Sequence, residues 1–202
     1  PEAIVMDTAD FLDGWDSENT LTVDGDNRLE GIACLKSAGD GEIEFEKVFS
    51  EPFDSRSSWD AGVFHLFYYT EDPSLLTEGS VVLGCKASGQ EDCLTWSLDS
   101  ILPSLTKGWN QLDLLLTDAI VEGEVDLSQL RYFCLSMKKT GPSVSRLDTL
   151  YFLERDDLPV DYYEGDSGRA LTLKVENDSS VGNKYVYYTI AKPDYRFQPG
   201  DY

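Results

Sequence analysis

The residues best equipped for chemistry in this sequence are its acids. Asp and Glu number 38 against 16 Lys and Arg, a formal net charge of −22. One acid sits where a carboxylate is costly. In "SRLDTLYFLERDD" (145–157) the apolar run 147–153 reads as a buried strand. Strand alternation places Asp148 on the face of Leu150 and Phe152. A buried carboxylate costs several kcal/mol unless it meets a cation or good donors. Arg146, Lys47, a turn to cap or a metal ion are the partners open to it. Other reactive types are scarce. The only histidine is His65, and the four cysteines, Cys34, Cys85, Cys93 and Cys134, form no Cys-x-x-Cys pair. Zinc and iron–sulfur sites are therefore not expected. Nucleophilic hydrolysis lacks a Gly-x-Ser-x-Gly motif. A glycosidase needs only two carboxylates, but sequence context singles out no pair among the 38 acids.

The charge narrows the partners. A surface this negative repels phosphate backbones, so nucleic acid and anionic membranes are not expected, while metal cations and neutral polymers such as sugars remain. Most of the acids are expected on a solvated surface. No apolar run approaches the roughly 20 residues of a membrane-spanning helix. No signal peptide is visible, and the opening Pro1-Glu2-Ala3 is expected to be a trimmed start.

These residues must be positioned by strands. Short segments such as "GEIEFEKVF", "AGVFHLFYYT", "SVVLGCKA", "WNQLDLLLTD" and "RYFCLSMKK" are rich in Val, Ile, Leu, Phe, Tyr and Thr, with Gly, Asp, Ser and Pro between them. No amphipathic segment is long enough for a crossover helix. The expected fold is all-β, an antiparallel β-sandwich. Cys85 and Cys93 flank "KASGQED", which reads as a hairpin turn and leaves a cross-strand disulfide or two free thiols open. Cys34 and Cys134 read as core residues. A domain is expected over 1–154, then a charged linker over 155–169. Residues 170–202 are expected to begin a second, truncated β domain or to add edge strands.

"DTADFLDGWDS", "RLEGIACLK", "FHLFYYTEDPS", "LTKGWNQLDLLLTDA", "VDLSQLRYFCLSM" and "RLDTLYF", in this order, resemble the galactose-binding-like jelly roll of bacterial carbohydrate-binding modules. The resemblance spans residues 4–154, and the tail "KYVYYTIAKPDYRFQPGDY" resembles the opening of another such domain. It implies a structural calcium at one end of the sandwich. Asp148 would be the ligand from the last strand, joined by Asp7 or Asp10, by Asp26, and by the carbonyls of Arg28 and Gly31. Calcium takes about six to eight hard oxygens, which carboxylates and loop carbonyls supply.

The resemblance also implies that Val63, His65, Phe67 and Tyr69 face the core, leaving Phe64, Leu66 and Tyr68 outside. With Phe133, Leu135 and Met137 turned inward, Tyr132 and Lys138 would lie outside too. If the two strands lie in one sheet, Tyr68 and Tyr132 would form a sugar platform edged by Lys138. Trp15 and Trp59 lie beside loops and are the candidates for a loop-tip sugar site. Trp96 reads as core, Trp109 as packing where its strand begins, and His65 as a hydrogen-bonded core residue. The expected function is non-catalytic binding of a neutral polysaccharide, extracellular or on a bacterial cell surface, among neighbouring domains of a larger chain. The alternatives are a structural or adhesive sandwich packed on a tandem neighbour and, behind it, a glycoside hydrolase.

Overall fold

The computed structural model describes residues 3–15, 21–39, 41–55, 62–154, 160–165, 169–178 and 183–189. Two compact units divide the chain, Pro1–Arg155 and Asp156–Tyr202. In the first, two antiparallel sheets form a jelly-roll sandwich. The strands are β1 (Ile4–Asp7), β2 (Thr22–Asp24), β3 (Cys34–Ser37), β4 (Gly41–Phe53), β5 (Gly62–Thr70), β6 (Leu76–Gly84), β7 (Cys93–Ser97), β8 (Gly108–Leu115), β9 (Ile120–Glu122), β10 (Leu130–Lys139) and β11 (Ser145–Glu154). One sheet runs β2-β3-β11-β5-β8, with β1 also paired to β11; the other runs β4-β10-β6-β7-β9. β3 pairs with the first half of β11 and β1 with the second. In the second unit β12 (Val160–Gly165), β13 (Arg169–Asp178) and β14 (Asn183–Thr189) form an antiparallel sheet. β12 thus lies inside the stretch expected to be a linker.

Alternation explains how the strands lie. In β4, Ile43 and Phe45 are buried while Glu42, Glu44 and Glu46 point outward. In β8, Leu112 and Leu114 are buried while Gln111 and Asp113 are exposed. The two sheets meet around Phe64 of β5. Its ring lies 4.9 Å from that of Phe152, 6.0 Å from Phe133 and 6.2 Å from Trp96, centroid to centroid. Trp96 also satisfies its indole N–H on the Leu115 carbonyl at 2.8 Å, as a core tryptophan must.

β5 reverses the expected facing. Phe64, Leu66 and Tyr68 are completely buried in the core, and His65, Phe67 and Tyr69 take the outward face. Both faces of this strand are apolar, so alternation alone is symmetric. In the observed phase the Tyr68 phenol is satisfied inside the core by Ser145, whose hydroxyl lies 2.9 Å from Tyr68 Oη. Burial pushes the Tyr68 phenol up to about 12.

β11 also departs from simple alternation. Its register shifts between Asp148 and Leu150, and Thr149 has φ 34°. This β-bulge breaks the phase. Leu147 and Leu150 both reach the core, while Asp148, paired with Phe67, turns to the outward face. Asp148 therefore does not share a face with Leu150 and Phe152.

The central position of Phe64 sets a stability expectation. Phe64→Ala removes a ring shared by both sheets and should lower the unfolding free energy by about 3–5 kcal/mol. Ile120→Ala, at an exposed position of a short outer strand, should change it by less than about 0.5 kcal/mol. Urea titrations of both variants check this.

Candidate functional site

Two of the proposed sugar-binding tyrosines lie in different sheets, Tyr68 in β5 and Tyr132 in β10, and so form no platform. Tyr68 is inside the core. Tyr132 lies on the outward face of its own sheet but is buried beneath the β6–β7 hairpin. Gly89 in that hairpin has φ +64°, and a Cβ there would collide with the Tyr132 ring. Lys138 is exposed and pairs with Glu78. Trp15 is buried edge-on against Phe133, 5.8 Å between centroids, with Lys47 over its ring. Trp59 lies outside the described residues. All four cysteines are free thiols.

The outward face of the six-stranded sheet instead brings together residues assigned elsewhere. On β5 these are His65, Phe67 and Tyr69, at intervals of roughly 6.8 Å along the strand. Tyr69 stands between Arg146 of β11 and Trp109 of β8; His65 stands between Tyr151 and Asp113. Directly opposed residues of antiparallel strands share a face, so Trp109, Gln111 and Asp113 join the same surface. Phe67, Tyr69, Trp109 and Tyr151 are half-buried, and Gln111 and Asp113 are exposed.

The rings form two groups. Trp109 meets Tyr69 edge-on at 5.5 Å, and the Arg146 guanidinium lies 4.5 Å over the Tyr69 ring. Tyr151 lies 6.0 Å from Phe67 and stacks on His65 at 4.8 Å. A polar edge adjoins the second group. Asp113 Oδ1 lies 2.6 Å from His65 Nδ1 and accepts from Gln111 Nε2 at 2.7 Å. An ionised carboxylate only accepts, so Nδ1 carries the proton. His65 is buried and hydrogen-bonded, but it belongs to the outward face rather than the core. Burial, with the charges of Asp113 and Glu30, pushes the Tyr151 phenol up. This surface offers flat rings to stack on and amide, carboxylate and imidazole groups beside them. The pattern "WNQLD" carried the signal: if Leu112 and Leu114 face the core, Trp109, Gln111 and Asp113 must face out.

The six residues expected to hold calcium fall into separate groups. Asp7 pairs with Lys47 and accepts from the Ala9 N–H at 2.7 Å. Asp26 sits in a turn where its own N–H donates to Asp24. Arg28 donates to the Gly25 carbonyl and, through Nε at 3.1 Å, to the Gly31 carbonyl that was expected to face the ion. Gly31 has φ +55° and packs so close that a Cβ would collide with the Asp10 carboxylate. Asp10 Oδ1 accepts the N–H groups of Ile32 and Ala33 at 2.7 and 2.8 Å. Asp148 Oδ2 accepts those of Leu29 and Glu30 at 2.7 and 3.2 Å, and its Oδ1 accepts the Thr149 hydroxyl at 3.0 Å. Among the described residues no three His, Cys, Asp or Glu side chains gather around one point. This donor set does not fit calcium: the carboxylates face amides, and a guanidinium holds the carbonyl. What the carboxylates do is fasten the loop between β2 and β3 onto the sheet.

Two of the acids along this loop have perturbed acidity. Burial raises the Asp10 carboxyl, but the Ala33 and Ile32 amides, the Thr8 hydroxyl and the Arg28 charge outweigh it and hold it below the ordinary range. For Asp24 burial is likewise outweighed, by Arg146 and by the Asp26 and Asn27 amides.

No family model and no curated protein matches this sequence. Solved structures do. A family 11 carbohydrate-binding module from Clostridium thermocellum, in complex with a β-1,3-1,4-mixed-linked tetrasaccharide, is 7% identical over 75% of this chain and 95% of its own, with a TM-score of 0.50. A family 30 module of a cellulosomal cellulase of the same organism is 14% identical over 77% and 95%, TM-score 0.49. An exo-beta-agarase is 10% identical over 70% of this chain and 22% of its own, TM-score 0.48. At 7% identity the likeness to the family 11 module is one of fold.

The loop contacts give two expectations. Asp148→Ala strands two inward-turned amides, which costs about 1–3 kcal/mol each. Its melting temperature should fall by several degrees, and chelator should leave that of the unaltered protein unchanged; a large drop with chelator would contradict this reading of the donors. The Asp10 and Asp24 carboxyls are held below their ordinary values, so their stabilisation is complete above roughly pH 4 and lost as pH falls through the depressed values. Melting temperatures should therefore hold from pH 7 to 5 and fall below 4.

Proposed function

We propose that the first unit is a non-catalytic carbohydrate-binding module that takes a neutral polysaccharide across the outward face of the six-stranded sheet. The observation that carries this is the grouping of Trp109, Tyr69, Phe67 and Tyr151 on three adjacent strands, with Gln111 and Asp113 exposed beside them. A pyranose ring has apolar C–H faces and hydroxyls around its rim. The negative faces of aromatic rings attract such C–H groups, and the polar edge satisfies hydroxyls that lose water on binding. A rigid face also limits the entropy lost on association.

Charge supports neutrality of the ligand, because a chain of net charge −22 repels polyanions at a distance. The shared fold with a module solved in complex with a mixed-linked tetrasaccharide supports the ligand class. A polymer of this kind is met outside cells, so the reading places the protein in a secreted or surface-attached setting, within a larger bacterial chain.

Calorimetry or affinity electrophoresis against mixed-linked β-glucan, cellulose oligomers, xylan, mannan and agarose tests the proposal. At least one is expected to bind. Trp109→Ala removes an aromatic anchor and should cost about 2 kcal/mol or more, roughly thirtyfold in Kd. Lys138→Ala on the other sheet should bind as the unaltered protein does. Flat titrations across the panel, or binding indifferent to both Trp109→Ala and Tyr69→Ala, would overturn the reading. Release of reducing sugar from a bound substrate would overturn its non-catalytic part.

A further inference from the structure

The Trp109–Tyr69 group is the end of a closed circuit of contacts through the loop between β2 and β3. Asp24, the last residue of β2, accepts from Arg146 Nε at 2.9 Å through Oδ2. Arg146 lies 4.5 Å over Tyr69, and Tyr69 meets Trp109 edge-on at 5.5 Å. The Trp109 indole N–H then donates to Asn27 Oδ1 at 3.2 Å. Asn27 closes the circuit, its backbone N–H donating to Asp24 Oδ1 at 3.3 Å. The two oxygens of one carboxylate thus govern Trp109 from two sides. One leg fixes the ring against which it packs; the other fixes the acceptor of its N–H.

We propose that Asp24 is a positioning residue of the binding face: without touching the ligand, it sets the orientation of Trp109. This rests on the polysaccharide reading for its effect on affinity, but the orientation itself is a property of the free protein. An aromatic side chain half exposed on a sheet can turn about χ1 and χ2 unless its edges are held. A sugar that stacks on a turning indole must first fix it, and that lost rotamer freedom lowers affinity. Asp24 and Arg146 suit the task because both are sheltered, with side-chain exposures of 13% and 9%. Within that shelter their contact is screened little by salt. A planar guanidinium can lie flat on Tyr69 while its edge meets the carboxylate, which an ammonium cannot do. Lys36 Nζ, 3.8 Å from Asp24 Oδ2, adds a second cation from β3.

Three variants separate the legs. Asp24→Ala opens both, Asn27→Ala opens only the indole leg, and Arg146→Lys opens only the stacking leg. Near-UV circular dichroism is read without ligand, and the part due to Trp109 is isolated by repeating each variant in a Trp109→Phe background. Kd is then measured by calorimetry with mixed-linked β-glucan, or with whichever panel polysaccharide the unaltered protein binds. Each variant is expected to change the Trp109 signal and to weaken binding about tenfold, with Asp24→Ala the largest. Asn27→Ala tests the idea even if Asp24→Ala does not fold, since it leaves the ion pair in place. An unchanged Trp109 signal in Asn27→Ala and Arg146→Lys would overturn the positioning role. So would a changed signal with unchanged Kd in a protein that loses binding on Trp109→Ala. An unaltered protein that binds no polysaccharide of the panel overturns the ligand reading alone, since the Trp109 signal still decides whether the circuit exists.

Discussion

A loop whose N–H groups turn inward must find acceptors there, and the molecule depends on meeting that demand along residues 26–33. The N–H groups of Asp26, Asn27, Leu29, Glu30, Ile32 and Ala33 all donate to carboxylates. Three acids share the work: Asp24 at the end of β2, Asp10 after β1 and Asp148 in β11. Two of them, Asp10 and Asp148, come from opposite ends of the first unit's sequence. An ionised carboxylate accepting backbone N–H groups makes a stronger bond than a neutral acceptor would. That strength offsets the desolvation of the acid, which would otherwise be prohibitive. Besides the neighbouring Thr149 hydroxyl, Asp148 accepts from the peptide groups of a loop 118 residues and more away.

The bulge at Thr149 makes this possible. Had β11 kept strict alternation past Asp148, the carboxylate and Leu150 would face the same side, and one would be misplaced. The extra residue lets Leu147 and Leu150 both enter the core while Asp148 faces the loop. The strained φ of Thr149 is compensated by its hydroxyl, which donates to the same carboxylate. The consequence extends to the proposed binding face: the fastened loop carries Asn27 to the indole of Trp109. A buried structural acid and an exposed aromatic ring are thus linked through a few residues of backbone.

The sheet architecture was legible because punctuation and alternation are local signals. "GEIEFEKVF" shows its wet face in its own letters, and "WNQLDLLL" shows where its leucines must go. The facing of "VFHLFYYT" was not legible, since apolar residues occupy both phases. The hydroxyl of Ser145, 77 residues away, satisfies the Tyr68 phenol inside the core, and nothing in the strand's own letters points to it. The bulge in β11 was hidden for a similar reason: nothing in "RLDTLYF" marks Thr149 for a left-handed backbone. Asp148 reads from its own strand as a carboxylate needing a partner, while Asp10 enters only through the resemblance, as an alternative to Asp7. The partner was missed because backbone amides leave no trace in residue identity. The burial of Tyr132 and Trp15 likewise follows from the Gly89 hairpin and from Phe133, which act only in three dimensions.

The two outward faces of the sandwich suit different things. On β4 the acids Glu42, Glu44 and Glu46 line one face, opposite Lys138, Ser136 and Cys134 of β10. Burial of the thiol, with the charges of these glutamates, pushes Cys134 up to about 12. Among the described residues the large ring on that face, Tyr132, is covered by its hairpin. An anion is repelled there. The other face carries its rings half open, and its acids are engaged: Asp24 by Arg146, Asp113 by His65 and Gln111. A neutral ligand on the other sheet presents no net charge for these glutamates to repel. A polyanion meets the summed field of the whole chain before reaching either face. Under the proposed function the acidic surface selects for uncharged polymers without contributing a single contact, and affinity is left to the rings.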